Sequence, residues 1–160
     1  MALEFLKRIF NPNKVEIELN EIQALILRSR PIPYFGTVAI IEIKDAVAAR
    51  QMLQKLLPIV SSAEEWHKNE GASVTLTFTY KGLEKIGVPQ ESLDTFPESF
   101  KEGMAERSRF LYDIGVNDPK NWEKVFKRSH IHIAAAVIAN NEEAWKSKLE
   151  EFRSKLANNS

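Results

Sequence analysis

Three stretches of this chain gather β-branched and small apolar residues as an extended backbone does: TVAIIEIK at 37–44, SVTLTFTY at 73–80 and SHIHIAAAVIAN at 129–140. The second is the clearest. Val74, Leu76, Phe78 and Tyr80 fall on one face and Thr75, Thr77 and Thr79 on the other, the two-residue period of a half-buried strand. A helix is predicted after the first strand and after the last. Asp45 suits the N-cap of Ala46–Leu57, whose apolar face is Val47, Met52, Leu53, Leu56 and Leu57, and Pro58 ends it. Asn141 caps Glu142–Leu156, in which Trp145, Leu149, Phe152 and Leu156 recur at i, i+4, i+7 and i+11. The order is strand, helix, strand, long insertion, strand, helix. A ferredoxin-like β-α-β-β-α-β unit has that order with one further strand, so the expected class is α+β, an antiparallel sheet with helices on one face. A sheet short of its last strand exposes an edge, which proteins cover or pair. Val15–Leu19, which reads equally as a short strand or a turn, and a second chain are the candidate occupants.

The remaining segments are read as follows. Ile22–Leu27 is apolar and expected to be buried, and the prolines of Arg28–Pro33 break it. Ser61–Gly71, with Trp66 and His67, is a connecting loop. Lys81–Ile86 is a short helix closed by Gly87. Leu93–Gly115 is mostly irregular with a helix at Pro97–Arg107, and Asp118–Trp122 is turn chemistry ending on an aromatic anchor. The domain is expected over residues 21–157, preceded by an arm at 1–20 and followed by a frayed tail at 158–160.

Charge and composition remove whole classes of function. With 22 Lys and Arg against 22 Asp and Glu there is no basic excess for nucleic acid. Without cysteine there is no disulfide, thiolate-held metal or thiol nucleophile. No run reaches the roughly 20 apolar residues of a transmembrane helix. Glu4, Lys7 and Arg8 interrupt the first ten residues, which do not read as a signal peptide, so the expected location is cytoplasmic. Leu3, Leu6, Ile9 and Phe10 form a helical stripe. Residues 3–10 read either as a membrane-surface anchor or as an arm that packs on its own domain or a neighbour. One net positive charge is thin for lipid binding and favours the arm.

Candidate chemistry is sparse. His130 and His132 lie two apart on a predicted strand and would share a face, a conceivable ligand pair that His67 could join only through the fold. Two histidines without a third ligand nearby more often serve structure. Glu102 and Glu106 form an i,i+4 carboxylate pair beside Arg107 and Arg109, which usually means an exposed helix face rather than acid–base work. Ser61, Ser62, Ser108 and Ser129 lack a nucleophile-elbow pattern, and no phosphate loop is present. Lys124, Lys127 and Arg128 read as a solvated edge balanced by Glu123. Trp66, Trp122 and Trp145 read as core or interface anchors. On this reading no catalytic residue and no metal site is assigned.

Six ordered blocks over about residues 21 to 157 resemble the dye-decolourising (DyP-type) haem peroxidases. EIQALIL at 21–27 is similar to that family's "DIQG-I-L" opening, with Gln23-Ala24 in place of Gln-Gly. IIEIKDAVAARQMLQKLLPIVSSA at 40–63 resembles its first strand and helix, and TLTFTYKGLEKIGVP at 75–89 its strand, "Y-x-G-L" and "-L-G-L/V-P". FPESFKEGMAERSRFLYDIG at 96–115 is the most specific block, followed in family order by DPKNWE at 118–123 and SHIHIAAAVIA at 129–139. The resemblance implies the N-terminal ferredoxin-like half of such a peroxidase, of the dimeric α/β-barrel type. It also implies haem chemistry that these residues do not carry. The family's Gly-x-x-Asp-Gly motif has no counterpart, because no Asp-Gly pair occurs in the 160 residues. None of the three histidines matches the family's haem-ligating histidine; the family has a similar histidine in the last strand that is not an axial ligand. The leading expectation is therefore a stand-alone, non-catalytic domain acting through self-association or a partner protein. No cofactor is expected for this chain alone, and haem enters by resemblance only. The alternatives are half of a split or truncated haem peroxidase using hydrogen peroxide, its haem-binding half elsewhere, and a small-ligand-binding dimeric α/β barrel.

Overall fold

A computed structural model describes residues 17–27, 32–64, 71–127 and 130–157. The stripe at residues 3–10, Trp66, His67, Arg128, Ser129 and the tail at 158–160 lie outside these. The elements run α1 (Ala24–Leu27), β1 (Phe35–Ile41), α2 (Ala46–Leu56), β2 (Ala72–Phe78), α3 (Tyr80–Ile86), α4 (Gln90–Asp94), α5 (Glu98–Glu106), α6 (Lys124–Lys127), β3 (Ile133–Ala139) and α7 (Glu142–Ala157). The strands form one antiparallel sheet in the order β1-β3-β2. This is the ferredoxin-like arrangement expected from the sequence, with β3 central.

The core lies on one side of the sheet. Val74 and Leu76 of β2 and Ile133, Ala135 and Val137 of β3 pack against Met52 and Leu56 of α2 and Leu149 and Phe152 of α7. Helix α7 places its stripe as its period requires, with Leu149 and Phe152 buried and Trp145 and Leu156 partly so. Asp45 caps α2 through the Ala48 N–H at 2.8 Å, and Asn141 accepts from the Ala144 N–H at 2.8 Å. The Trp145 indole donates to Thr37 Oγ1 at 3.2 Å and ties α7 to β1.

Several expectations need correction. β1 runs Phe35–Ile41, two residues earlier than predicted at its start and three at its end, and β3 starts at Ile133 rather than Ser129. Tyr80 begins α3 instead of ending β2, because Thr79 caps that helix by accepting from the Gly82 N–H at 3.0 Å. Val47 and Leu57, assigned to the apolar face of α2, are exposed; Ala49 takes the buried position on that turn. Of Ile22–Leu27 only Ala24 is buried, while Ile26 and Leu27 face solvent. The described part of Val15–Leu19 forms no strand: Leu19 opens a 3-10 turn, and its carbonyl accepts from the Glu64 N–H at 3.3 Å. This segment leads into residues 22–24, which dock beside β2, on the side of the sheet away from the position next to β1 that no described residue occupies.

Candidate functional site

The two edges of the sheet are treated differently by the chain. Along a strand, successive backbone groups point to alternate sides, so one set of residues bonds the neighbour and the other faces outward. The Asn140 N–H donates to Gly71 O at 2.7 Å and the Thr79 N–H to His132 O at 3.0 Å, so the even-numbered residues of β3 serve β2. Its odd-numbered residues serve β1. On the register Thr37↔Val137 and Ala39↔Ala135, Gly36, Val38 and Ile40 must then present their N–H and C=O groups outward. In β2 the outward set includes Val74 and Leu76.

Those β2 groups are taken by the chain itself. The Gln23 carboxamide lies along the edge like a strand neighbour: Nε2 donates to Leu76 O at 2.9 Å and Oε1 accepts from the Leu76 N–H at 2.7 Å. The Ser61 N–H donates to Val74 O at 3.0 Å, and Ser61 Oγ accepts from the Val74 N–H at 3.3 Å. Ala24 is fully buried beside them, its N–H donating to Ser61 O at 2.8 Å. Replacing Gln23 with Ala removes two bonds at once. It is expected to lower unfolding stability by about 1–2 kcal/mol, read as a lower urea midpoint.

No described residue covers the β1 edge in this way. Among the described residues none bonds the outward groups of Gly36, Val38 or Ile40, and Val38 is 63% exposed. The strand is FGTVAII, without a charge, proline or bulge to discourage pairing.

The histidines serve the base of the sheet. His132 is buried, and its Nδ1 accepts from the Ile43 N–H at 2.8 Å. Its own N–H donates to Ile41 O at 3.1 Å and its carbonyl accepts from Thr79, so one residue links the chain at the ends of β1 and β2. Burial holds the His132 pKa below its ordinary value; Glu42 opposes the shift, and Lys85, His130 and Lys81 reinforce it. His130 does not share its face. It precedes β3 on the surface, with Nδ1 3.9 Å from Glu42 Oε1. The His132 imidazole, accepting at Nδ1, carries its proton on Nε2 and so offers iron no free lone pair.

The insertion between β2 and β3 builds an apolar groove of about 590 Å³ beside the start of α3. Tyr80, Phe100, Met104, Trp122, Phe126 and Ile131 line it. Phe100 meets the Tyr80 ring edge-on at 6.3 Å and Phe96 at 5.0 Å, so the FPESF block forms an aromatic wall. Trp122 is fixed by its indole N–H, which donates to Asn117 O at 2.9 Å. The turn before it is closed by Asp118, whose carboxyl sits below its usual pKa because it accepts from the Lys120 N–H. Beyond the groove Phe110, Tyr112 and Val116 are exposed.

The other sequence candidates are dispersed. Glu102 and Glu106 do not form a regular i,i+4 pair, because Gly103 breaks α5 between them with φ 76°, a backbone that favours glycine. Glu102 instead lies 4.0 Å from Arg107, and Glu106 and Arg109 are exposed. Ser61 serves the β2 edge, Ser108 accepts through its carbonyl from the Asp113 N–H, and Lys124 and Lys127 are exposed on α6. Among the described residues no group of three or more His, Asp or Glu is placed to hold a metal ion, and no helix is long and apolar enough to cross a membrane. Sequence reasoning missed the role of Gln23. Its partner lies 53 residues away, and nothing local marks it.

Comparison with known proteins gives a consistent answer. A family profile described as "DyP dimeric alpha+beta barrel domain" matches residues 21–160. An ancestral D-type dye-decolorizing peroxidase is similar at 27% identity and TM-score 0.75, the match covering 88% of this chain and 31% of that one. DyP2 from an Amycolatopsis species is similar at 21% identity and TM-score 0.71, over 86% of this chain and 30% of that one. The peroxidase of Auricularia auricula-judae is similar at 15% identity and TM-score 0.71, over 89% and 31%. The chain thus spans about a third of the length of the solved structures it matches. No curated protein matched it.

Proposed function

The chain belongs to the DyP dimeric alpha+beta barrel domain family, and on that premise we propose that it works by association, contributing a binding surface rather than haem-ligating chemistry of its own. The observation that carries this reading is the asymmetry of the sheet edges. Gln23 and Ser61 occupy the outward groups of β2, whereas those of Gly36, Val38 and Ile40 in β1 have no bond from any described residue. Unpaired strand groups template the addition of another strand. The position beside β1 is where a β-α-β-β-α-β sheet carries its fourth strand. His132, whose accepting nitrogen is committed to Ile43, supports the second half of the reading.

Titration of the purified chain with haemin tests it. The expected result is no stoichiometric complex with an axial-ligand Soret spectrum, in a sample whose mass exceeds the 18.3 kDa of one chain. A one-to-one haem complex whose spectrum disappears in His130→Ala or His132→Asn would contradict it.

A second reading is favoured by the exposed apolar surface around Met104, Phe110, Tyr112 and Val116. On this reading the chain is the front part of a haem peroxidase, and those residues meet the part that supplies the iron ligand. A companion polypeptide carrying a Gly-x-x-Asp-Gly segment and co-purifying with this chain would support it. Failure of any such polypeptide to co-purify would count against it.

A further inference from the structure

We propose that the occupant of the β1 edge is β1 of a second copy of this chain, paired antiparallel about Val38 to give one continuous six-stranded sheet. The proposal rests on the association reading above and names its partner. In antiparallel pairing centred on Val38, that residue faces its own counterpart, and Gly36 faces Ile40 of the second copy. These are the residues whose N–H and C=O groups point outward, so each free donor on one strand meets a free acceptor on the other. A register slipped by one residue, with the two-fold axis midway between two residues, would place the outward groups of one strand opposite inward groups of the other.

The side chains agree with the same alignment. Gly36, Val38 and Ile40 share the sheet face away from the helices, where Val38 and Ile40 are exposed. Opposite Gly36 there is no side chain to obstruct Ile40. The strand carries no charge, so the two-fold axis brings no like charges together, and at its flank Tyr34 would face Glu42. Self-complementary surfaces of this kind form closed two-fold dimers rather than open chains, provided the second edge is blocked. Here it is, by Gln23 and Ser61 on β2.

The test uses the full 160-residue chain in sedimentation velocity over a dilution series. The wild type is expected to sediment at twice the single-chain mass. Val38→Pro removes an N–H that points away from β3, so the ladder within the chain is kept and only the edge is blocked. It should keep the wild-type circular dichroism and dimerise roughly tenfold more weakly or less tightly still. Because the chain has no cysteine, Val38→Cys carries a single nitroxide. Strong dipolar broadening between labels, lost on dilution with unlabelled chain, is expected from pairing about Val38 and decides the matter if Val38→Pro fails to fold. A dimer that persists in Val38→Pro, or a dimer whose labels do not couple, would overturn this inference and leave the association reading standing. A chain that is monomeric at every concentration would also overturn it, and the association reading would then require a different partner.

Discussion

Gly82→Ala is expected to destabilise the fold by about 3 kcal/mol, near the upper end for overpacking against a fixed backbone. The methyl group would meet the carbonyl oxygen of His132 and come within 2.8 Å of its carbonyl carbon. Neither side can give way easily. Thr79 anchors the start of α3 to the segment that enters β3: its N–H donates to His132 O, and its hydroxyl donates to Ile131 O at 2.8 Å and accepts from the Gly82 N–H. The helix therefore starts pressed against the residue that ends the turn into β3. The glycine of the Tyr-x-Gly-Leu block is needed for close approach and not for an unusual dihedral angle. Chemical unfolding of the variant, with midpoint and slope both measured, checks the size of the effect.

His132→Phe is the second large effect, at about 2–3 kcal/mol. It keeps a flat buried ring but leaves the Ile43 N–H without an acceptor, which costs most of the expected loss. His132→Asn, which retains an acceptor near the same place, should recover part of it. The pH dependence gives an independent signature. Burial lowers the folded-state pKa of His132 below the unfolded value of about 6.5, so the unfolded chain binds the proton more readily. The contribution of His132 is therefore complete above about pH 6.5 and is lost as the pH falls toward its folded pKa. Protonation would also turn Nδ1 into a donor facing the Ile43 N–H. Unfolding free energy measured from pH 7.5 to 5 should fall for the wild type and fall less steeply for His132→Asn.

Patterns with a short period were legible before the fold was known. The alternation in β2 identified Val74 and Leu76 as its core face, and the helical spacing identified Leu149 and Phe152. The same alternation predicts a half-buried strand, and that is not found: Ser73 and Thr75 on the other face of β2 are buried as well. Caps were equally readable, since Asp45 and Asn141 act on backbone only three residues away. What could not be read was set by partners far apart in sequence. His130 and His132 obey strand alternation only if the strand has begun, and here it begins at Ile133, so one imidazole is buried and the other exposed. Gln23 looks like any polar residue in an apolar run until β2 is placed beside it. The exposure of Ile26 and Leu27 belongs to the same class, because hydrophobicity fixes a preference for burial but not the presence of a covering surface.

The candidate site was legible in a different sense. The element order already implied a vacant position at one sheet edge. Which edge, and whether the chain covers it, depended on tertiary hydrogen bonds. Residues 22–24, continuous with the segment thought able to fill the vacancy, lie against β2 instead.

Amide hydrogen exchange resolved at the two edges tests the central claim most directly. The Leu76 and Val74 amides, held by Gln23 and Ser61, should exchange slowly at every protein concentration. The Gly36, Val38 and Ile40 amides should exchange rapidly in dilute protein and become protected as association proceeds. Equal protection of both edges in dilute, monomeric protein would mean that the chain already covers β1 itself, and the account of this chain as an association module would be wrong.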